Sequence, residues 1–157
     1  MTGAPKGSPL RLGIAGLGTV GGGVIRMVEE NADLLTARCG RSVQVTAVSA
    51  RDRSRDRGLD LSAFAWHDDP VDLARSDEID VFVELIGGDE GPARDAVEAA
   101  IAAGKDVVTA NKALIAHHGT ALARAAEDAG VALNFEAAVA GGIPIVKAMR
   151  EGLAGNR

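Results

Sequence analysis

LRLGIAGLGTVGGGV, residues 10–24, is an apolar run that breaks into glycines and passes directly into a helical repeat. A buried strand followed at once by Gly16-Leu17-Gly18-Thr19-Val20-Gly21 has the layout of a dinucleotide-binding turn. Such a turn needs a tight reversal, backbone amides that a pyrophosphate can approach, and a helix that presents its positive N-terminal end. Gly16, Gly18 and Gly21 answer those needs in order. Glycine spacing alone is a weak signal, and the flanking strand and helix give it weight.

Working outward, Val20, Val24, Met27 and Val28 recur at helical spacing and are expected to lie on a sheet. Gly22 and Gly23 each weaken that helix by roughly 1 kcal/mol relative to alanine. Val43 to Ser49 is rich in β-branched residues and reads as a second strand, reached through a long connection that includes Thr36 to Ser42. Asp69-Pro70 caps and opens a short helix that ends before Asp80. Val81 to Ile86 reads as a buried strand closed by Gly87-Gly88. Pro92 opens a helix striped by Val97, Ala100 and Ile101, and Gly104 stops it. Asp106 to Thr109 is a strand, Gly119 to Ala129 an alanine-rich helix, Val131 to Ala137 a further strand, and Pro144 starts a last helical segment.

Strands alternating with helices predict a Rossmann-like, doubly wound α/β fold: a mostly parallel sheet with helices on both faces. Ligands of such sheets bind outside the carboxyl ends of the strands, near the point where strand order reverses. The glycine loop, Arg51, Ile86-Gly87-Gly88 and Thr109-Ala110-Asn111-Lys112 all follow strands, so they are expected to converge on one edge.

The 157 residues suffice for one domain with a sizeable core. A formal net charge of −5 argues against a nucleic-acid surface and favours a small-molecule ligand. No apolar run approaches the length needed to span a bilayer. Residues 1–9 are polar and rich in glycine and proline, and read as a flexible leader rather than a signal peptide. Cys39 is the only cysteine, which rules out an internal disulfide and fits a reducing, cytoplasmic setting.

Four stretches in order, Gly16-Leu17-Gly18-Thr19-Val20-Gly21, Val83-Glu84-Leu85-Ile86-Gly87-Gly88, Thr109-Ala110-Asn111-Lys112 and Glu136-Ala137-Ala138-Val139-Ala140-Gly141-Gly142-Ile143-Pro144, resemble homoserine dehydrogenase. The resemblance covers nearly the whole chain after the leader. It implies a dinucleotide-binding domain over 10–137, and a cation-site turn with a connector helix over 138–157 that leads toward a substrate and dimerisation domain. Because residues 151–157 resemble the family just ahead of that domain, the chain reads as a fragment, expected to be inactive by itself. The implied reaction interconverts L-homoserine and L-aspartate 4-semialdehyde by hydride transfer with NADP or NAD, on the route to threonine and methionine. The full-length protein is expected to form a homodimer or larger assembly.

The resemblance makes Gly16, Leu17, Gly18, Thr19, Val20, Gly21, Ile86, Gly87 and Lys112 cofactor contacts. A Rossmann domain commonly carries an acid at the end of the second strand for the ribose 2′-hydroxyl, whereas this chain has Arg51 there. A guanidinium suits a 2′-phosphate, so NADP is preferred over NAD, with Arg53 a second candidate contact. Arg55 and Arg57, interspersed with acids, read as a solvated loop. Lys112 is the expected catalytic residue, beside the nicotinamide and the substrate, taking part in transfer of the hydroxyl proton. Glu136, with the main chains of Val139, Gly141 and Ile143, is the implied site of a monovalent cation, sodium.

Two other readings stay open on these residues: a dehydrogenase of different substrate built on the same domain, and a non-catalytic nucleotide-sensing module. Glu84 falls in an apolar strand and would need a partner if buried, but its place at the strand end permits solvent contact. His117 and His118 read as loop or helix-start residues without a third metal ligand, and Trp66 and His67 as packing and edge residues.

Overall fold

The computed structural model describes residues 7–139, 141 and 143–152. Most of the expected leader, residues 1–6, and part of the expected connector, residues 140, 142 and 153–157, lie outside the described residues.

Six strands, β1 (Leu10–Ala15), β2 (Val43–Ser49), β3 (Ala65–His67), β4 (Val81–Glu84), β5 (Asp106–Thr109) and β6 (Leu133–Asn134), form one sheet in the order β3-β2-β1-β4-β5-β6. Every pairing is parallel. The order reverses between β1 and β4, which marks that crevice for a ligand. The expected doubly wound α/β sheet is the observed one.

Helices cover both faces. Ile25 of α1 (Thr19–Glu30), with Val24 beside it, packs with Ile14, Val48 and Val83 on one side. On the other, α3 (Pro70–Arg75), α4 (Pro92–Ala102) and α5 (Lys112–Ala129) bury Leu73, Val97, Leu114 and Leu122 against Phe82 and Val107. Alternation along each strand divides its side chains between these two cores. Among the described residues, no helix is long and apolar enough to cross a membrane.

Local chemistry explains where the elements begin. Asp69 accepts from the Val71 amide at 2.8 Å, with Pro70 in the first turn of α3. Several expectations are corrected. Val20 and Met27 point outward, 60% and 51% exposed, because Gly21 and Gly22 occupy the face of α1 that lies closest to the sheet. The connection before β2 contains α2 (Ala32–Cys39), which buries none of its residues and so carries no apolar stripe to announce it. α5 starts at Lys112 rather than Gly119, since Asn111 caps it by accepting from the Leu114 amide at 3.1 Å. β6 spans two residues, and the chain then coils into a 3₁₀ turn (Glu136–Ala138) instead of continuing as a strand. α6 (Ile145–Lys147) runs on into one π-helical turn (Ala148–Gly152).

Arg11 and Asp80 tie β1 to the start of β4. The guanidinium donates to Asp80 at 2.6 and 3.2 Å and to the Asp77 carbonyl at 2.6 Å, while the Arg11 amide donates to Asp80 at 2.9 Å. Those side-chain hydrogen bonds hold the Asp80 carboxyl below its usual range. A carboxyl depressed on folding adds stability above its unfolded value, near about 3.9, and that stability is lost as pH falls through the lower folded value. Arg11→Met is expected to cost about 1 kcal/mol at neutral pH, because both partners are partly solvated. Urea unfolding of the variant should also show a shallower loss of stability below about pH 4. Parallel stability curves for the two proteins across that window would contradict this role.

Candidate functional site

Strand register brings the candidate segments together. Ser49 pairs with Ala15, Ala15 with Glu84, and Glu84 with Thr109, so four strand ends form one row at the carboxyl edge. All four residues are buried. Each is followed by a segment singled out from the sequence: Arg51 after β2, the glycine loop after β1, Ile86 to Gly88 after β4, and Asn111-Lys112 after β5. Backbone hydrogen bonds hold these loops to their neighbours: the amides of Gly16, Leu85 and Ala110 donate to the carbonyls of Ser49, Ala15 and Glu84 at 2.8, 2.8 and 3.3 Å.

The three glycines of the first loop do different work. Gly16 has φ +100°, and a Cβ there would sit 2.4 Å from the Leu85 carbonyl oxygen. A Cβ on Gly21 would meet the Gly16 oxygen at 2.0 Å, so these two positions close the turn. Gly18 has extended backbone and nothing within 4 Å of a built Cβ, which leaves its surface open where the helix begins. It is the N-cap of α1, makes no side-chain cap, and no acid stands in the first turn. An anion meets unscreened amides there. Thr19 and Val20 are exposed beside it, whereas the Leu17 side chain is buried in the core and only its backbone faces the edge.

In the segment after β2, Arg55 is exposed, as expected of a solvated loop, whereas Arg57 departs from that expectation. Asp52, Asp56 and Asp60 each accept from the backbone amide two residues on, at 2.9, 2.8 and 2.9 Å, giving three successive Asx turns. Hydrogen bonds from Ser54 and Ser62 hold the Asp52 and Asp60 carboxyls below their usual range. Arg57 is half-buried and donates to the backbone carbonyls of Leu17 at 3.2 Å, Arg55 at 2.7 Å and Asp52 at 2.6 Å. It is a brace between this loop and the glycine turn. Arg53 and Arg57 both lie over the Trp66 ring, 5.6 and 5.9 Å from its centroid. Arg51 itself is exposed at the end of β2.

The opposite side of the crevice holds a residue whose placement sequence reading left open. Glu84 is fully buried instead of reaching solvent. Its Oε1 accepts from the amides of Ile86 and Gly87 at 2.7 and 3.0 Å, and its Oε2 from the Thr109 hydroxyl at 2.5 Å. Thr109 Oγ1 in turn accepts from the Asn111 amide at 3.0 Å, and Asn111 Nδ2 donates to the Gly88 carbonyl. An acid in an otherwise apolar strand, three residues before paired glycines, is the available sign. Lys112 stands exposed in the first turn of α5, and its side chain makes no hydrogen bond or ion pair with another described residue. A cation there opposes the helix dipole by roughly 0.3–1 kcal/mol, so helix chemistry does not account for it.

His117 and His118 lie inside α5 rather than in a loop. His117 pairs with Asp89, whose carboxyl it holds below the usual range, and His118 with Glu90 at 2.9 Å. Trp66 and His67 sit on the edge strand as expected, bonded to Asp68 and Glu78. Glu136 is exposed at the head of its 3₁₀ turn with no partner among the described residues, and Val139, Gly141 and Ile143 follow within the same bend. Among the described residues, no group of three His, Cys, Asp or Glu side chains is placed to hold a metal. An open apolar groove between α4 and α5, lined by Ile101, Leu122 and Ala125, lies toward the C-terminal ends of those helices and so on the opposite edge of the sheet.

The family model described as homoserine dehydrogenase, NAD binding domain, matches residues 16–136. The chain belongs to this family. A homoserine dehydrogenase of Pseudomonas aeruginosa is 50% identical over 149 residues, covering 95% of this chain and 34% of that protein. One of Neisseria gonorrhoeae is 46% identical with the same coverage. The crystal structure of a homoserine dehydrogenase from Thiobacillus denitrificans superposes with a TM-score of 0.87 at 48% identity, over 97% of this chain and 35% of that one. The chain thus spans about a third of the length of these relatives. It is a homoserine dehydrogenase NAD-binding domain with Rossmann architecture.

Proposed function

We propose that this chain supplies the cofactor half of an NAD(P)-dependent homoserine dehydrogenase, interconverting L-homoserine and L-aspartate 4-semialdehyde, with NADP preferred and a substrate domain contributed by further sequence. The observation that carries this reading is the row of strand ends at the β1/β4 reversal, with an open Gly18 cradle on one side and Lys112 on the other. The bound dinucleotide would accept or supply the hydride. Gly16 to Gly21 hold its pyrophosphate by backbone, Arg51 takes the 2′-phosphate, and Ile86 and Gly87 border the nicotinamide. Lys112 takes up the substrate hydroxyl proton during oxidation and returns it during reduction.

Glu136 with the carbonyls of Val139, Gly141 and Ile143 would hold a monovalent cation. All four donors are oxygens and one is charged, which suits a hard cation of single charge. This turn, in residues 138–157, would join the binding domain of 10–137 to the substrate domain. We place the enzyme in the cytoplasm as a homodimer or larger assembly serving threonine and methionine synthesis; a free, exposed Cys39 agrees with a reducing compartment.

The deciding experiment extends the chain through its downstream sequence and follows NADPH consumption with aspartate semialdehyde. Turnover is expected, and NADPH binding without any reaction would favour a nucleotide-sensing module instead. Arg51→Ala should weaken NADPH binding roughly 10- to 100-fold, the worth of charge-assisted hydrogen bonds, while leaving NADH binding nearly unchanged. An unaltered NADPH-to-NADH affinity ratio in calorimetric titration would remove Arg51 as the phosphate selector.

A further inference from the structure

Glu84 is more than a satisfied buried acid. A carboxylate in the centre of a sheet is costly, and a well-packed apolar side chain would often stabilise the fold as well or better. What this one provides is position. Gly87 and Gly88 both have φ +83°, a conformation glycine adopts freely and as freely leaves. Glu84 captures the amides of Ile86 and Gly87 on one oxygen and the Thr109 hydroxyl on the other. Thr109 receives the Asn111 amide, and the Asn111 side chain closes the circuit by donating to the Gly88 carbonyl while capping α5 through Leu114. The loop after β4 and the start of α5, which carries Lys112, are thereby held as one unit.

We infer that Glu84 is a positioning residue for the nicotinamide half of the bound dinucleotide, acting on the Ile86 to Gly88 loop directly through the Ile86 and Gly87 amides and, by way of Thr109 and Asn111, through the Gly88 carbonyl. This rests on the dinucleotide reading proposed above. The adenosine half lies on the β1/β2 side, where Arg51 follows β2, so the other half must extend over β4 and β5. Loss of the circuit therefore acts on one half of the ligand and spares the other. A residue needed only for folding would affect both alike.

The test compares the affinity of the chain for NADPH and for adenosine 2′,5′-bisphosphate, which occupies the adenosine side alone. Thr109→Val removes the hydroxyl at constant shape and should weaken NADPH by about tenfold or more, since two buried partners lose their hydrogen bond. Bisphosphate affinity should stay within about twofold, as expected for a distant site. Thr109→Ser should restore NADPH binding. Glu84→Gln keeps an oxygen for the loop amides but puts an amide where Thr109 needs an acceptor, so it should shift NADPH alone in the same direction. Equal weakening of both ligands, or unchanged NADPH affinity in both Thr109→Val and Glu84→Gln, would overturn the inference. NADPH binding without bisphosphate binding in the unmodified chain would refute the assignment of halves. Failure of the unmodified chain to bind NADPH would instead strike the dinucleotide reading, and this inference with it.

Discussion

Gly21→Ala should collapse the turn that shapes the crevice, while Gly18→Ala, three residues earlier, should leave the fold intact and remove the ligand. The built methyl at Gly21 falls 2.0 Å from the Gly16 oxygen, backbone against backbone, with no flexible side chain to yield. Overpacking of this kind costs about 3 kcal/mol, equivalent to a fall of roughly 6–12 °C in Tm for a chain of this size. Gly18 has φ −79°, which alanine accepts, and no atom within 4 Å of the added carbon. Its replacement should change Tm by only a few degrees, since alanine is a poorer N-cap than glycine but also restricts the unfolded chain. On the proposed reading the same methyl stands where a pyrophosphate would touch the backbone, so NADPH affinity should fall at least tenfold, or about 1.4 kcal/mol. A Gly18→Ala chain that binds NADPH as tightly as the original would show that the cofactor does not approach there.

The largest effect on turnover is expected at Lys112. In the enzyme extended through its substrate domain, Lys112→Ala should lower kcat roughly 100- to 10,000-fold, the usual worth of a placed proton-transfer group. Stability should not fall, because an exposed cation in the first turn of α5 opposes the helix dipole and has no partner among the described residues. Melting curves and steady-state rates measured on the same preparation separate the two outcomes. A rate within tenfold of the parent enzyme would reduce Lys112 to a surface residue.

The sequence disclosed the fold wherever chemistry is local. β2 and β5 have the bounds expected from their β-branched content, Val43–Ser49 and Asp106–Thr109, and α3 starts on its Asp-Pro signal. α2 escaped notice because a helix with no buried residue carries no periodic signature. The start of α5 was hidden by Lys112 itself: Asn111 is a good cap, but a cation in the first turn runs against helix preference. At the site, glycine positions were legible because each answers a backbone demand. Glu84 and Arg57 were not, since their partners, Thr109 at one and Leu17 at the other, lie 25 and 40 residues away. Pairings across such distances exist only once the sheet has assembled.

The three Asx turns between Arg51 and Ser62 bear on how cofactor preference could change over time. Each turn is closed by its own aspartate, and the segment is anchored to the rest of the chain at a few points: Arg57 on the Leu17 carbonyl and the Trp66 ring, and Leu59 and Leu61 against the core around Ile25. A segment that keeps its own shape can be exchanged as a cassette. On the proposed reading, substitutions at its exposed positions would alter the charge offered to the adenosine ribose and leave strand register and the Lys112 side of the crevice as they are. Selection could therefore retune the nucleotide while the chemistry at the other end stays untouched.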